Sequence, residues 1–360
     1  MKYIEIKGIG FPNKGAELLL CAVLEQIKKR QLIACMEPYS PYSYKINYPV
    51  ATKTRIYKWG INLLFPLNLL PDYVTDRLGF IKPSQVSLIL DASGFAYGDD
   101  WSASLAESRI LNEKKGAQII LLPQSLGPFT KKTSITVAKK LAKKAKLIYS
   151  REHVGQDQFE AVTGTKIKYC PDITFNLAVT QAAPTEKQGV LVIPNFQVYK
   201  REGEAYLNNL VFITEYLIKT NKKVDLLNHE GIKDQEICEK IKRRIAKKTK
   251  AKIQILNPPN GLEAKKQIQL SELVITSRYH GLISALSQQV PVACYGWSFK
   301  YNEALSRFSL PTYNLSKPNE QILKEICSEK YSNLFLSKEY QRELKSIKLE
   351  INQMWSNVFS

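Results

Sequence analysis

The richest run of chemistry-bearing residues is 274–281, VITSRYHG. Its apolar, β-branched start reads as a buried strand ending at Thr276, and Ser277, Arg278, Tyr279 and His280 follow where the next helix begins. Arginine presents a rigid fork that matches phosphate or carboxylate. A helix N-terminus adds backbone donors for an anion, and histidine moves protons near neutral pH. Arg278 and His280, two residues apart at a strand end, suit an anionic substrate that needs acid–base chemistry. The alternative is architectural: a capping serine, and an arginine held in an ion pair with a carboxylate.

Four further segments place glycine and polar residues just after apolar runs. Residues 8–17, GIGFPNKGAE, pass from a strand through a Gly-rich turn into a helix. The third glycine of a dinucleotide fingerprint is misplaced and Pro12 intrudes, which argues against NAD binding. A close backbone approach to another ligand and a bare tight turn both remain open. Residues 91–100 (DASGFAYGDD), 122–129 (LPQSLGPF, read as a loop) and 149–152 (YSRE) each fit turn chemistry as well as ligand contact. His229, in LLNHEG just past another strand, reads as an anion ligand or a loop cap, and His153 as a surface residue at a helix start.

Short apolar strands alternate with longer amphipathic helices, which argues for parallel sheets built from βαβ units. Strands are expected near 3–6, 32–35, 88–91, 119–122 and 147–149, and helices near 16–29, 104–115, 133–145 and 154–162. The polar, proline-containing stretch 180–188 reads as a linker. The pattern then restarts, with strands at 190–193, 224–227, 253–256, 273–276 and 292–295. Helices are expected at 205–219, 234–248, 261–270 and 281–288, with a closing helix at 338–358. A chain of 360 residues exceeds the roughly 250–300 that one core supports. The expectation is an α/β protein: a domain over 1–179, a second over 188–335, both doubly wound and facing a cleft, and a C-terminal helix over 336–360. Ligands of such sheets bind at the carboxyl ends of the strands.

Composition narrows the chemistry less than the motifs do. The net charge of +19 admits nucleic acid, an anionic membrane surface or an anionic substrate as partner. The basic residues are not interleaved with aromatics in an RNA-binding motif, so nucleic acid is not expected. The six cysteines form no CxxC or Cys/His cluster, and no metal site is expected. The opening MKYIEIKGIG reads as a first strand rather than a signal peptide, which places the protein in the cytoplasm. The segment 56–70, IYKWGINLLFPLNLL, is apolar, yet Pro66 and its length forbid a membrane span. It reads either as an ordinary buried helix or as a peripheral docking element using Trp59, Leu63, Leu64 and Phe65. In the second case the lysine-rich face at 139–144 would assist. A second lysine-rich stretch, 240–252, follows in the C-terminal half.

Together the motifs resemble the polysaccharide pyruvyl transferase family over about 5–310. The matching pieces, in order, are Asn13-x-Gly15 with Glu17, a Gly-rich turn at Ala92-Ser93-Gly94, and a Gln124-Ser125-x-Gly127-Pro128 loop. Arg151-Glu152, Pro171-Asp172, Ser277-Arg278-Tyr279-His280 and Lys300 after the next strand complete the set. The departures are Ala92-Ser93 where two glycines are common, Glu152 for an aspartate, and Pro194-Asn195 where basic residues often sit. The resemblance implies a fold like that of GT-B glycosyltransferases, with two Rossmann-like domains. It implies transfer of the enolpyruvyl unit of phosphoenolpyruvate to a hexose as a cyclic ketal, without a metal or cofactor. By similarity His280 is the acid–base residue and Arg278 grips the phosphate or carboxylate. Arg151, His229 and Lys300 are further candidates for that anion, and Asn13, Gly15, Glu17, Ser93, Gly94, Gln124, Ser125 and Ser277 line the substrate. The acceptor is expected to be a surface-polysaccharide precursor on a polyprenyl lipid, at the inner face of the cell membrane. A nucleotide-sugar glycosyltransferase shares the architecture and would use an acidic residue such as Glu263 or Glu272 for ribose hydroxyls. A non-catalytic polyanion-binding protein is the other alternative.

Overall fold

Strands that are apolar along their whole length need cover on both faces, and Val190–Ile193 (VLVI) and Leu273–Thr276 (LVIT) are buried throughout. The computed structural model describes residues 3–38, 42–58, 61–111, 113, 116–179, 187–296 and 298–360. The chain forms two compact units. One comprises Met1–Phe11, Leu19–Ile173 and Glu350–Ser360, and the other Pro12–Leu18 and Thr174–Leu349. The first helix, Lys14–Lys29, therefore begins in the second unit and continues in the first, and the last, Lys338–Val358, passes from the second to the first. Most of the linker segment 180–188 lies outside the described residues.

The first unit is built on one parallel sheet. Its strand order is Lys168–Tyr169, Leu147–Ser150, Gln118–Leu126, Val86–Asp91, Tyr3–Lys7, Ile33–Met36, Val50–Lys53 and Phe80–Ile81. The chain enters at Tyr3–Lys7, works outward to one edge, and returns to Val86–Asp91 to build the other half. The switch point of this doubly wound sheet thus lies between those two strands. Helices Lys132–Lys144 and His153–Thr163 pack on it through Val137, Ala138, Leu141 and Phe159. The helix expected over 104–115 is shorter and changes form: Ala103–Ala106 is α-helical and Glu107–Leu111 is a π-turn. Residues 122–126, read as loop, continue the strand Gln118–Leu126, so Gln124 and Ser125 sit in its last residues.

The carboxyl ends of three strands in this sheet carry a buried ion network with no counterpart in the sequence reading. Lys53 Nζ meets Glu5 Oε2 at 2.5 Å, Lys7 Nζ meets Glu113 Oε1 at 2.5 Å and Glu37 Oε1 at 3.1 Å, and Arg55 pairs with Glu113. Burial pushes the Glu5 carboxyl above its ordinary range, against the pull of Lys7 and Lys53. The carboxylates of Glu5, Glu37 and Glu113 lie within 4.8 Å of one another. Three basic side chains already neutralise them, so the cluster does not present a metal-ligand set.

The second unit carries the other parallel sheet, in the order Ile255–Leu256, Val224–Leu227, Val190–Ile193, Leu273–Thr276 and Val292–Cys294. Its switch point lies between Val190–Ile193 and Leu273–Thr276. The helix expected over 234–248 starts three residues earlier, at Gly231, which puts Asp234 in its first turn. The helix expected from 281 starts at Tyr279.

The segment 56–70 is not a buried helix. A short hairpin, Tyr57–Lys58 with Ile61–Asn62, leads to a single 3-10 turn at Phe65–Leu69. Leu63, Phe65 and Leu69 stand 50%, 56% and 72% exposed. Trp59 lies outside the described residues. Among the described residues no helix is long and apolar enough to cross a membrane.

Candidate functional site

Seven of the residues singled out from sequence come together in the second unit, at the carboxyl ends of its strands, and Lys300 stands beside them. The cluster begins with Asn13, whose side chain caps the first helix. Its Oδ1 accepts from the backbone N–H of Gly15 (2.9 Å) and Ala16 (3.2 Å), which satisfies two of the donors a helix start leaves open. The Asn13 amide donates to Glu230 Oε1 at 3.0 Å. Glu230 is the N-cap of helix Gly231–Ala246, and Asp234 lies in that helix's first turn. Both carboxylates accept from Arg278, the N-cap of helix Tyr279–Ser287. A chain of hydrogen bonds, Asn13 to Glu230 to Arg278 to Asp234, thus ties together the starts of three helices.

Burial works against the charge on Arg278, but Asp234 and Glu230 outweigh it and raise its pKa. The guanidinium is thereby committed to protein carboxylates through both terminal nitrogens. Its third donor nitrogen, Nε, is buried without a hydrogen-bond partner. Neither carboxylate stood out in the sequence, because each lies more than forty residues from Arg278 in the chain.

His280, two residues beyond Arg278, is half-buried. Its imidazole lies against the backbone of the Asn13–Gly15 turn: a Cβ on Gly15 would fall 2.2 Å from Nδ1 and 2.7 Å from Cγ. Gly15 is therefore required by the ring beside it, not by a turn dihedral. The Tyr279 ring meets the imidazole edge-on at 5.6 Å. Ser277 is fully buried and holds the strand end in place: its Oγ accepts from Tyr206 Oη at 2.7 Å, and its carbonyl accepts from Asn195 Nδ2 at 3.0 Å and Tyr301 Oη at 2.9 Å. These bonds fix the chain from which Arg278 and His280 project. Lys300 is buried beneath the same cluster, its ammonium 5.4 Å from the Tyr279 ring and 5.8 Å from the Tyr301 ring.

His229 is 2% exposed, and neither of its ring nitrogens has a hydrogen-bond partner. Burial lowers its pKa well below the ordinary histidine value, helped by Arg278, Lys14 and His280. The ring is neutral at physiological pH and carries one donor and one acceptor without protein partners. Its carbonyl accepts from the Lys14 N–H at 3.5 Å. Lys14 escaped the sequence reading, although it stands between Asn13 and Gly15; it is 7% exposed. Glu17, also buried, lies one turn along the same helix.

The remaining candidates meet in the first unit, at its own switch point. Gly8 has φ +86°, and a Cβ there would lie 2.5 Å from Ser93 Cβ, so the two loops touch backbone to side chain. Ser93 Oγ donates to Gln124 Oε1 at 2.9 Å, and Gln124 Nε2 donates to the Asp91 carbonyl at 3.3 Å. A Cβ on Gly94 would meet Arg151 Nη1 at 3.4 Å. Arg151 itself is 5% exposed; Nη1 binds Asp172 at 2.8 Å, and Nε binds Ser125 Oγ at 2.9 Å and Glu152 at 3.1 Å. Two carboxylates balance this guanidinium within the first unit. His153 is exposed at the start of its helix and stacks on Tyr169 at 3.9 Å, as a surface residue would.

Residues 13–299 match the family model described as polysaccharide pyruvyl transferase. No curated protein matches the chain. Among solved structures, Anabaena Alr3699/HepE in complex with UDP and glucose is 13% identical with a TM-score of 0.59, covering 99% of each chain. The UDP-GlcNAc 2-epimerase of Neisseria meningitidis bound to UDP-GlcNAc is 11% identical with a TM-score of 0.63, covering 100% of each chain. S. aureus TarM in complex with fondaparinux, alpha-GlcNAc-glycerol and UDP is 15% identical with a TM-score of 0.51; the match covers 80% of this chain and 58% of TarM. The chain therefore spans a little over half the length of TarM. These likenesses establish the fold as α/β with two Rossmann-like, GT-B-type domains.

Proposed function

Because the chain belongs to the polysaccharide pyruvyl transferase family, we propose that it moves the enolpyruvyl group of phosphoenolpyruvate onto a hexose of a surface-polysaccharide precursor as a cyclic ketal. The observation that carries the proposal is the placement of His280, held by Gly15 and Tyr279 beside three cross-tied helix starts. The imidazolium donates a proton to the methylene carbon of phosphoenolpyruvate. One sugar hydroxyl bonds to the neighbouring enol carbon, the carbon–oxygen bond to phosphate breaks, and a second hydroxyl closes the ketal; of the two hydroxyl protons, one restores the imidazolium and the other leaves on the phosphate. Protonation leaves positive charge on the enol carbon, and fixed carboxylates such as Glu17 and Glu230 favour it; the departing phosphate needs cations. No step calls for a metal or cofactor.

The test is incubation with phosphoenolpyruvate and a panel of lipid-linked oligosaccharides. The expected product is heavier by one pyruvate ketal, with phosphate released in equal amount. A product heavier by a hexose, formed from a nucleotide sugar instead, would establish the glycosyltransferase reading. One placement favours that second reading: Glu263 lies in the first turn of helix Gly261–Leu270, and a Cβ on Gly261 would sit 2.5 Å from the Lys14 carbonyl. Glu272 does not serve it, since it precedes strand Leu273–Thr276, lies at the amino end of the sheet, and pairs with Lys222 at 3.1 Å.

The acceptor's polyprenyl anchor and peripheral docking at the membrane belong to the same proposal. Exposed Leu63 and Phe65 support it, together with Ile61 and Leu69 on the same segment and Tyr73 just beyond it. The lysine face at 139–144 does not sit beside them. Its helix connects strands near one edge of the sheet, whereas 54–79 joins the last two strands at the other, five strand positions or roughly 24 Å away. Lys140 and Lys144 are also engaged, with Glu107 at 3.2 Å and the Leu111 carbonyl at 2.9 Å. In flotation with liposomes, Leu63→Asp with Phe65→Asp is expected to abolish binding, and Lys139→Glu with Lys143→Glu to leave most of it. The reverse pattern would show that the apolar segment does not dock.

A further inference from the structure

We infer that Lys14 and His229, rather than Arg278, form the seat for an anionic group of the substrate, a phosphate or carboxylate, in the second unit. Lys14 is 7% exposed, yet among the described residues no carboxylate oxygen comes within 4.0 Å of its ammonium and no acceptor hydrogen-bonds to it. A largely buried lysine without a carboxylate partner is poorly solvated, and a fold retains one where a ligand supplies the counter-charge. His229, 98% buried by the same measure, leaves a ring donor and a ring acceptor unmet beside it. The two residues are joined through the Lys14 N–H and the His229 carbonyl at 3.5 Å. The turn that carries Lys14 is wedged in place: a Cβ on Gly231 would meet Pro12 Cγ at 3.0 Å, and one on Gly261 would meet the Lys14 carbonyl at 2.5 Å.

The charges around the seat explain the division of labour. Glu230 and Asp234 are taken up by Arg278, which leaves Glu17 as the carboxylate bearing most strongly on Lys14. Burial lowers the lysine's pKa, with Glu17, Asp234 and Glu230 pulling the other way and Arg278 adding to the fall. Phosphate oxygens would meet the ammonium and the His229 N–H at once, and His280, against the Gly15 backbone next to Lys14, would stand over the reacting end of the same molecule. The inference rests on the phosphoenolpyruvate reading for the identity of the anion, but not for the seat.

The test is calorimetric titration of inorganic phosphate into the full chain. Wild type and Lys28→Met, which removes the same charge from the exposed end of the same helix, are expected to agree within about twofold. Lys14→Met and His229→Gln are expected to bind about 10- to 100-fold more weakly, as loss of a charge-assisted contact does. Without phosphate, Lys14→Met should melt at or above the wild-type temperature, because a largely buried charge with no carboxylate partner is replaced by an apolar chain of similar length. Phosphate binding unchanged in both variants, no phosphate binding by wild type, or a large loss of stability in Lys14→Met would each overturn the seat. Phosphoenolpyruvate turnover with Lys14-independent phosphate binding removes the seat and keeps the donor. Lys14-dependent phosphate binding without any turnover of phosphoenolpyruvate does the opposite.

Discussion

His280→Ala is expected to slow the proposed ketal formation by about 10²–10⁴-fold while the thermal unfolding curve stays in place, the loss typical of a missing general acid or base. Steady-state phosphate release measures it. Gly15→Ala should move in the same direction without touching the imidazole's chemistry. Its methyl group would occupy the volume of Nδ1, 2.2 Å away, and the ring must turn out of position. A partial return of activity in His280→Ala on adding free imidazole would identify the missing group as a proton carrier. Activity within a few-fold of wild type in His280→Ala would remove this residue from the mechanism.

Arg278→Met is expected to cost about 3–5 kcal/mol of stability, the usual result of removing one partner from a buried ion pair. Asp234 is fully buried and would keep only its bond from the Phe196 N–H, at 2.9 Å. Glu230 would keep only the Asn13 amide. Arg278→Lys retains the charge but cannot span both carboxylates with a planar fork, so a smaller loss is expected. Urea denaturation midpoints measure both variants. Unchanged stability in Arg278→Met, accompanied by a sharp fall in phosphate affinity, would return the arginine to the role of anion clamp.

The local sequence determined most of the regular elements. Strands Val190–Ile193, Val224–Leu227 and Leu273–Thr276, and helices Gly261–Leu270 and Lys338–Val358, lie at the residues their periodicity marks. Each is long enough or apolar enough for its own period to dominate. The strands absent from the sequence reading, such as Val50–Lys53, Phe80–Ile81 and Lys168–Tyr169, are edge or near-edge pieces of two to four residues. Their pairing comes from neighbours already in place, which no local pattern records.

The sequence also marked Asn13, Gly15, His229 and His280 as residues able to do chemistry, because glycine turns and polar side chains after apolar strands are local signals. Only the tertiary structure decided what each one meets. It placed Pro12–Leu18 in the second unit, and so set a glycine near the start of the chain against a histidine 265 residues later. It also supplied Arg278 and Arg151 with carboxylates, so that both guanidiniums sit in internal ion pairs. Charge pairing acts through space over a few ångströms and is indifferent to separation along the chain. A side chain's type is therefore written in the sequence, but whether its charge is left for a substrate depends on the fold.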